Sequence, residues 1–167
     1  YAPAVAGQAV ADRVGLPVHQ AAARAGHGLD QELVRLAEQD ARGVGGNRLS
    51  EDGVTDPECG ILAVRDAQQQ HVLGLALIYG MHPTVLHEDS TLVSADFPHY
   101  TRQQIAEHFN HSIPICYHTA PCGNQSPRRF VNAQTFAEAE RLGRKLGKTV
   151  CKALDGLTNS DWLDTPE

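Results

Sequence analysis

The chain has few aromatic residues and no long run of apolar or basic residues. Aromatic side chains make up 5% of its 167 residues, which argues against a base-stacking surface, because such surfaces present several rings to the ligand. The longest apolar candidate, residues 72–81, is of strand length and far short of the roughly 20 residues that cross a bilayer. Basic residues occur at most in pairs and the net charge is −6. We expect no transmembrane segment and no nucleic-acid partner.

Cysteines are also few, and none of the four stands in the CxxC spacing of a zinc finger or a redox motif. The five residues between Cys116 and Cys122 would permit a disulfide. Buried free thiols, which behave as small apolar side chains, are the alternative.

The length and the 41% hydrophobic content predict one sizeable core, hence a single domain or part of a larger catalytic domain. We divide the chain into a poorly determined N-terminal segment (residues 1–42), an α/β core (43–155) and a tail (156–167) that we expect to be loop. Residues 6–14 could be helical, and residues 31–41 fit either a helical face or an irregular strand. Residues 42–58, rich in glycine, aspartate and asparagine, predict a long loop of the kind that is often functional.

Two apolar runs, residues 60–66 and 71–80, are joined by about four polar residues and predict a β-hairpin. The second run does not alternate, so we expect a strand buried on both faces. A further short strand is predicted at residues 113–117.

Two capping-box patterns predict helices. The first starts at Thr101 and ends at about His108 or Phe109. The second starts at Thr135, and apolar residues follow it at helical spacing as far as Leu154. The elements together predict an α/β fold with a central mixed β-sheet flanked by helices.

Two reactive side chains follow predicted strands. His82 opens His82-Pro83-Thr84, and Ser126 lies in Gly123-Asn124-Gln125-Ser126-Pro127. Ligands of open α/β sheets bind beyond the carboxyl ends of strands. Imidazole is a common zinc ligand, and a serine hydroxyl becomes a nucleophile when a base, a metal or an electropositive hole assists it. Each residue by itself also fits a structural role.

Two other residues could assist such a site. Asp96 either accepts the second N–H of a metal-bound imidazole or caps the helix that follows. Arg48, after a glycine-rich turn, has the planar fork that holds an oxyanion or a carboxylate, and it also fits an ordinary surface position.

Six sequence elements follow one another along the chain: Asn47-Arg48-Leu49, Asp56-Pro57-Glu58, His82-Pro83-Thr84, Val93-Ser94-Ala95-Asp96-Phe97-Pro98, Gly123-Asn124-Gln125-Ser126-Pro127 and the helix with Ala137, Glu138, Ala139, Leu142 and Gly143. In this order they resemble the neutral/alkaline, non-lysosomal ceramidases and their bacterial relatives, over roughly residues 45–154. The resemblance implies zinc-dependent hydrolysis of an amide, which in ceramides links a fatty acid to a sphingoid base, and therefore a lipid or small-molecule amide as substrate.

By this resemblance His82 matches a zinc ligand, Ser126 the catalytic serine and Arg48 an active-site arginine, with Asp96 and Asn124 as orienting residues. Asn124 stands where the family usually has aspartate, and His99 where a glycine commonly follows the proline. The family's upstream His-Thr-His segment, which supplies another zinc ligand, does not occur in the sequence, and the glutamate and tyrosine that the family also uses come from further along than residue 167.

We therefore expect a fragment or partial site, whose other zinc ligands come from a further domain or chain. One alternative is a non-catalytic scaffold or binding subunit that has lost the metal. The other is a metal-independent serine hydrolase in which His82 or His118 is the base for Ser126.

Overall fold

The computed structural model describes residues 31–40, 43–66, 71–88 and 90–163, and of residues 31–40, 160 and 163 the backbone alone. Five strands form one sheet in the order β5-β4-β3-β1-β7, and β2 pairs with β6 in a second sheet. Only the β4–β5 pair is parallel among the described strands. The expected α/β fold with a mixed sheet is confirmed. The strands are β1 (Gln31–Asp40), β2 (Gly46–Asn47), β3 (Glu58–Asp66), β4 (Val72–Tyr79), β5 (Ile115–Thr119), β6 (Gln125–Ser126) and β7 (Trp162–Leu163).

The predicted hairpin is confirmed as the antiparallel pair β3–β4. The expectation that its second strand is buried on both faces is wrong. Along β4, Leu75, Leu77 and Tyr79 point into the core, whereas Ile78 is 49% exposed. The sequence hides this alternation because the residues on the outward face of β4 are also small or apolar.

Two helices pack together on the sheet's inner face, α1 (Phe97–Phe109) and α2 (Phe136–Asp155). The expected start of α2 is confirmed, since the Thr135 side chain accepts from Glu138 N–H at 3.3 Å. The expected start of α1 at Thr101 is wrong, because Asp96 is the N-cap. The Thr101 hydroxyl lies inside the helix and donates to the carbonyls of Phe97 and Gly143.

The helices and the inward-facing strand residues share one core. The close approach of α1 to α2 depends on Gly143, because a Cβ there would meet the Phe97 carbonyl oxygen and lie 2.7 Å from Tyr100 Cβ. The largest side chains in the core include Leu77, Tyr79, Met81, Phe97, Ile105, Leu142, Leu146 and Val150, each almost completely buried.

Outside these elements, some expectations need revision. Residues 31–41 include strand β1, which settles the choice between helix and strand. The tail is not all loop, because a 3-10 turn (Asn159–Asp161) leads into β7, which pairs with β1. All four cysteines are free, which confirms free thiols in place of the Cys116–Cys122 disulfide. Cys59, Cys122 and Cys151 are buried as expected, but the expected burial is wrong for Cys116, which is exposed. The possible helix at residues 6–14 lies outside the described residues.

Candidate functional site

The short strand pair β2–β6 brings the Arg48 and Ser126 loops together. Gly46 lies opposite Ser126, and Asn47 opposite Gln125. One residue further along, Arg48 N–H donates to the Asn124 carbonyl at 2.8 Å. Two segments about eighty residues apart in the chain therefore share one backbone ladder.

His82 joins the same backbone cluster. It follows β4, and its N–H donates to the Gln125 carbonyl at 3.4 Å, one residue before Ser126. The His82 side chain is half-buried. Three adjoining loops thus carry four of the residues predicted from the sequence, namely Arg48, His82, Asn124 and Ser126. This is the arrangement expected for polar groups that meet where strands end.

The side chain of Gln125, which the sequence analysis did not select, holds these loops in place. It is only 2% exposed. Its Oε1 accepts from Asp56 N–H at 2.8 Å, and its Nε2 lies so close to Gly80 that a Cβ there would be 2.9 Å away. A buried amide with these contacts fixes the β4 exit relative to the 47–56 loop. Its place next to the serine was the only signal in the sequence.

Two asparagines shape the turn that carries Arg48. Asn47 Oδ1 accepts from Leu49 N–H and Ser50 N–H at 2.9 and 3.1 Å. The amide groups of Asn47 and Asn124 both donate to the Val54 carbonyl, at 3.1 and 2.8 Å. An aspartate at position 124 would have no N–H to donate. Asparagine at this position therefore has a structural reason in this chain.

The Arg48 side chain is exposed. Its guanidinium makes no hydrogen bond or ion pair with the residues that the structure describes. By contrast, Arg129 in the neighbouring loop donates to Glu51 and to the Leu49 carbonyl, both at 3.1 Å. The backbone holds Arg48 in place while its charged end stays available to a ligand.

Ser126 is 7% exposed. Its Oγ accepts from Arg128 N–H at 3.3 Å. Within the described ranges, no imidazole or carboxylate is in hydrogen-bond contact with this hydroxyl. His118, the other predicted base, has an exposed side chain on β5, opposite Ile78 of β4. Ser126 lies where the three loops meet, but none of the described residues places a base within hydrogen-bond distance of its hydroxyl.

Asp96 is buried and has an unusual backbone conformation, with φ of 55° and ψ of −151°. Its two carboxylate oxygens accept from Phe97 N–H at 2.7 Å and from Leu86 N–H at 2.8 Å. One bond caps α1 and the other holds the loop that follows His82. Asp96 therefore orients the His82 loop through the backbone.

Cys122, which the sequence analysis considered only as a disulfide partner, contacts the His82 ring. Its Sγ lies 3.2 Å from His82 Nδ1. Burial raises the pKa of the Cys122 thiol, whereas nucleophilic cysteines need a lowered pKa. A thiol of this kind serves as a neighbour of the imidazole rather than as a nucleophile. Its position directly before Gly123 of the serine motif was the available sequence signal.

A zinc site at these loops would need ligands besides His82. In the part of the chain that the structure describes, no three histidine, cysteine, aspartate or glutamate side chains are grouped to hold a metal ion. His82 fits one position of a zinc site, which in enzymes has three protein ligands.

Across the same described residues, no helix combines the length and the apolar character needed to span a membrane.

The fold is similar to that of ceramidases of known structure. One is described as a ceramidase complexed with C2 (TM-score 0.66) and another as the neutral ceramidase from Pseudomonas aeruginosa (TM-score 0.64). Each is 15% identical over 81% of this chain, which spans only 24% of either ceramidase chain. No protein-family model and no curated protein matches the sequence. The similarity establishes the fold.

Proposed function

We propose that the chain carries part of a ceramidase-like amide hydrolase site. The observation that supports this most is the meeting of three loops. The β2–β6 pair joins the loops of Arg48 and Ser126, and the His82–Gln125 bond adds the β4 exit. These loops contain the motifs that resemble ceramidases, on a fold similar to ceramidases.

In this proposal each residue has a separate task. Ser126 attacks the acyl carbon of a lipid or small-molecule amide, and its proton goes to a base that the described residues do not supply. The same base returns the proton to the amine as the C–N bond breaks, and water then hydrolyses the serine ester and releases the acid. The guanidinium of Arg48 stabilises negative charge that develops on the acyl oxygen or binds a polar substrate group. Asp96 and Asn124 hold the two loops through the backbone bonds already described.

The proposal assigns one zinc ligand to the described residues of this chain. His82 is the described residue that would bind the ion, and the remaining ligands would come from another segment or a further chain, because no group of three is present among the described residues. A bound zinc ion would supply Lewis acidity at the acyl oxygen or at a water molecule. The chain spans about a quarter of the ceramidases that it resembles, so a further domain or chain that completes the site is also part of the proposal.

The proposal is tested by hydrolysis of a short-chain N-acylsphingosine, with zinc uptake measured on the same protein. We expect Ser126→Ala to reduce kcat by at least about 1000-fold, as removal of a nucleophile does, and His82→Ala to abolish zinc uptake. Ser112→Ala and His71→Ala, at exposed positions outside the three loops, are the matched controls. If the protein neither takes up zinc nor hydrolyses the amide, with or without added partner domains, the proposal is contradicted and the non-catalytic scaffold is favoured. Hydrolysis that survives a chelator would favour the metal-independent serine hydrolase.

A further inference from the structure

The proposed function does not use the contact between the Cys122 thiol and the His82 ring. The Sγ–Nδ1 distance is 3.2 Å, and Cys122 is the only described hydrogen-bond partner of the His82 ring. The thiol is 7% exposed. Water therefore competes little for this contact.

The backbone fixes both partners of this contact. His82 N–H donates to the Gln125 carbonyl at 3.4 Å, and Gln125 N–H donates to the Cys122 carbonyl at 2.8 Å. Together with the side-chain contact, these two bonds link His82, Gln125 and Cys122 in a closed cycle of interactions. Thiol and imidazole are thus held together by the turn that also presents Ser126.

The position of the ring proton sets the direction of the bond. A neutral imidazole has one N–H donor and one acceptor nitrogen, whereas a thiol is weak in both roles. A bond from the ring N–H to sulfur uses the stronger of the two donors, and a bond from S–H to the ring uses the stronger of the two acceptors. When Nδ1 carries the proton and donates to sulfur, Nε2 keeps its free lone pair. The hydrogen-bond partner of one ring nitrogen thus decides whether the other nitrogen can bind a metal ion or accept a proton.

We propose that Cys122 is a positioning residue for His82: its sulfur accepts from Nδ1–H, fixes the ring and leaves the Nε2 lone pair for the metal or the reacting group. The inference rests on the proposed function for what His82 does at Nε2. The ring orientation and the proton position are properties of the metal-free chain and can be measured without substrate.

The test is nitrogen NMR of the His82 ring in the metal-free protein, at a pH where the ring is neutral and with the signal assigned by its loss in His82→Ala. We expect the Nδ1–H tautomer in the wild type and in Cys122→Ser, because a hydroxyl can replace the sulfur as acceptor. Cys122→Ala should lose this preference. Cys151→Ala, which removes another buried thiol, is the matched control and should behave as the wild type.

The catalytic readout follows the same variants. Loss of a group that orients a ligand histidine lowers metal affinity or activity about 10–100-fold, so we expect that loss in Cys122→Ala, recovery in Cys122→Ser and no change in Cys151→Ala. The same tautomer in Cys122→Ala as in Cys151→Ala would overturn the inference and leave the proposed function intact. If the wild type neither binds zinc nor hydrolyses the amide, the proposed function fails and the tautomer still decides the role of Cys122.

Discussion

Asp96 combines two tasks that usually belong to different residues. Its carboxylate caps helix α1 and also holds the loop after His82. Its backbone has a positive φ, which residues other than glycine rarely adopt. Such a conformation costs on the order of 1–3 kcal/mol and persists where the surroundings hold it in place. The two hydrogen bonds from the backbone N–H groups of Phe97 and Leu86 provide that hold.

Replacement of Asp96 tests this balance. Asp96→Ala leaves the N–H groups of Phe97 and Leu86 without their partner, and we expect the free energy of unfolding to fall by about 2 kcal/mol or more. Asp96→Asn keeps an acceptor oxygen and should lose less. Urea denaturation of both variants measures the difference. An alanine variant as stable as the wild type would show that these bonds contribute nothing.

At the scale of elements, helix α2 depends on glycine at its contact with α1. Gly143→Ala would raise helix propensity, yet its Cβ would press on Phe97 and Tyr100. We expect a loss of about 1–3 kcal/mol in the free energy of unfolding from overpacking. The matched control is Gly123→Ala, where a Cβ would meet nothing within 4 Å. Equal thermal stability of the two variants would contradict the close packing of α1 and α2.

The first turn of α2 also predicts a pH dependence. The hydrogen bond from Arg141, together with the backbone N–H of Asn132, lowers the pKa of Glu138 from 4.5 to about 2. Because the folded-state pKa is the lower one, the stabilisation is complete above pH 4.5 and is lost as the pH falls towards 2.

Glu138→Gln tests that dependence. We expect the variant to be less stable than the wild type at pH 7 and the difference to shrink between pH 4.5 and 2. Asp52→Asn, at an exposed carboxylate without an ion pair among the described residues, should show no such trend. Denaturation curves across this pH range provide the measurement, and a constant difference would refute the assignment.

The elements also show what the sequence could and could not predict. Helix α2 was predictable because its cap and its apolar spacing are both local. The start of α1 was missed because Asp96 caps from a positive φ, while Thr101 imitates a cap four residues into the helix. The two-residue strands β2, β6 and β7 were missed because each exists only through a distant partner. The loops of Arg48 and Ser126 meet through one of these pairs, β2–β6.

For the molecule as a whole, the helices cover one face of the sheet, and on the other face the described side chains are mostly apolar, with the exposed His118 beside Ile78. Gly60, Leu62, Ile78 and Cys116 are exposed along β3, β4 and β5. Contiguous apolar surface is uncommon on monomeric proteins. The ceramidases with this fold have chains about four times as long as the matched part. Fold class could be predicted from the sequence, whereas this one-sided burial could not, because β4 carries small or apolar residues on both faces.

The buried amide of Gln125 has a consequence for how the chain can change. Its side chain and its own backbone together reach the strand exit, the glycine-rich loop and the serine turn. A substitution that shifts the backbone of one of these loops would therefore strain the contacts of Gln125 with the other two. Selection for a new substrate would act more readily on the exposed end of Arg48, which no described side chain restrains, than on the residues beneath it.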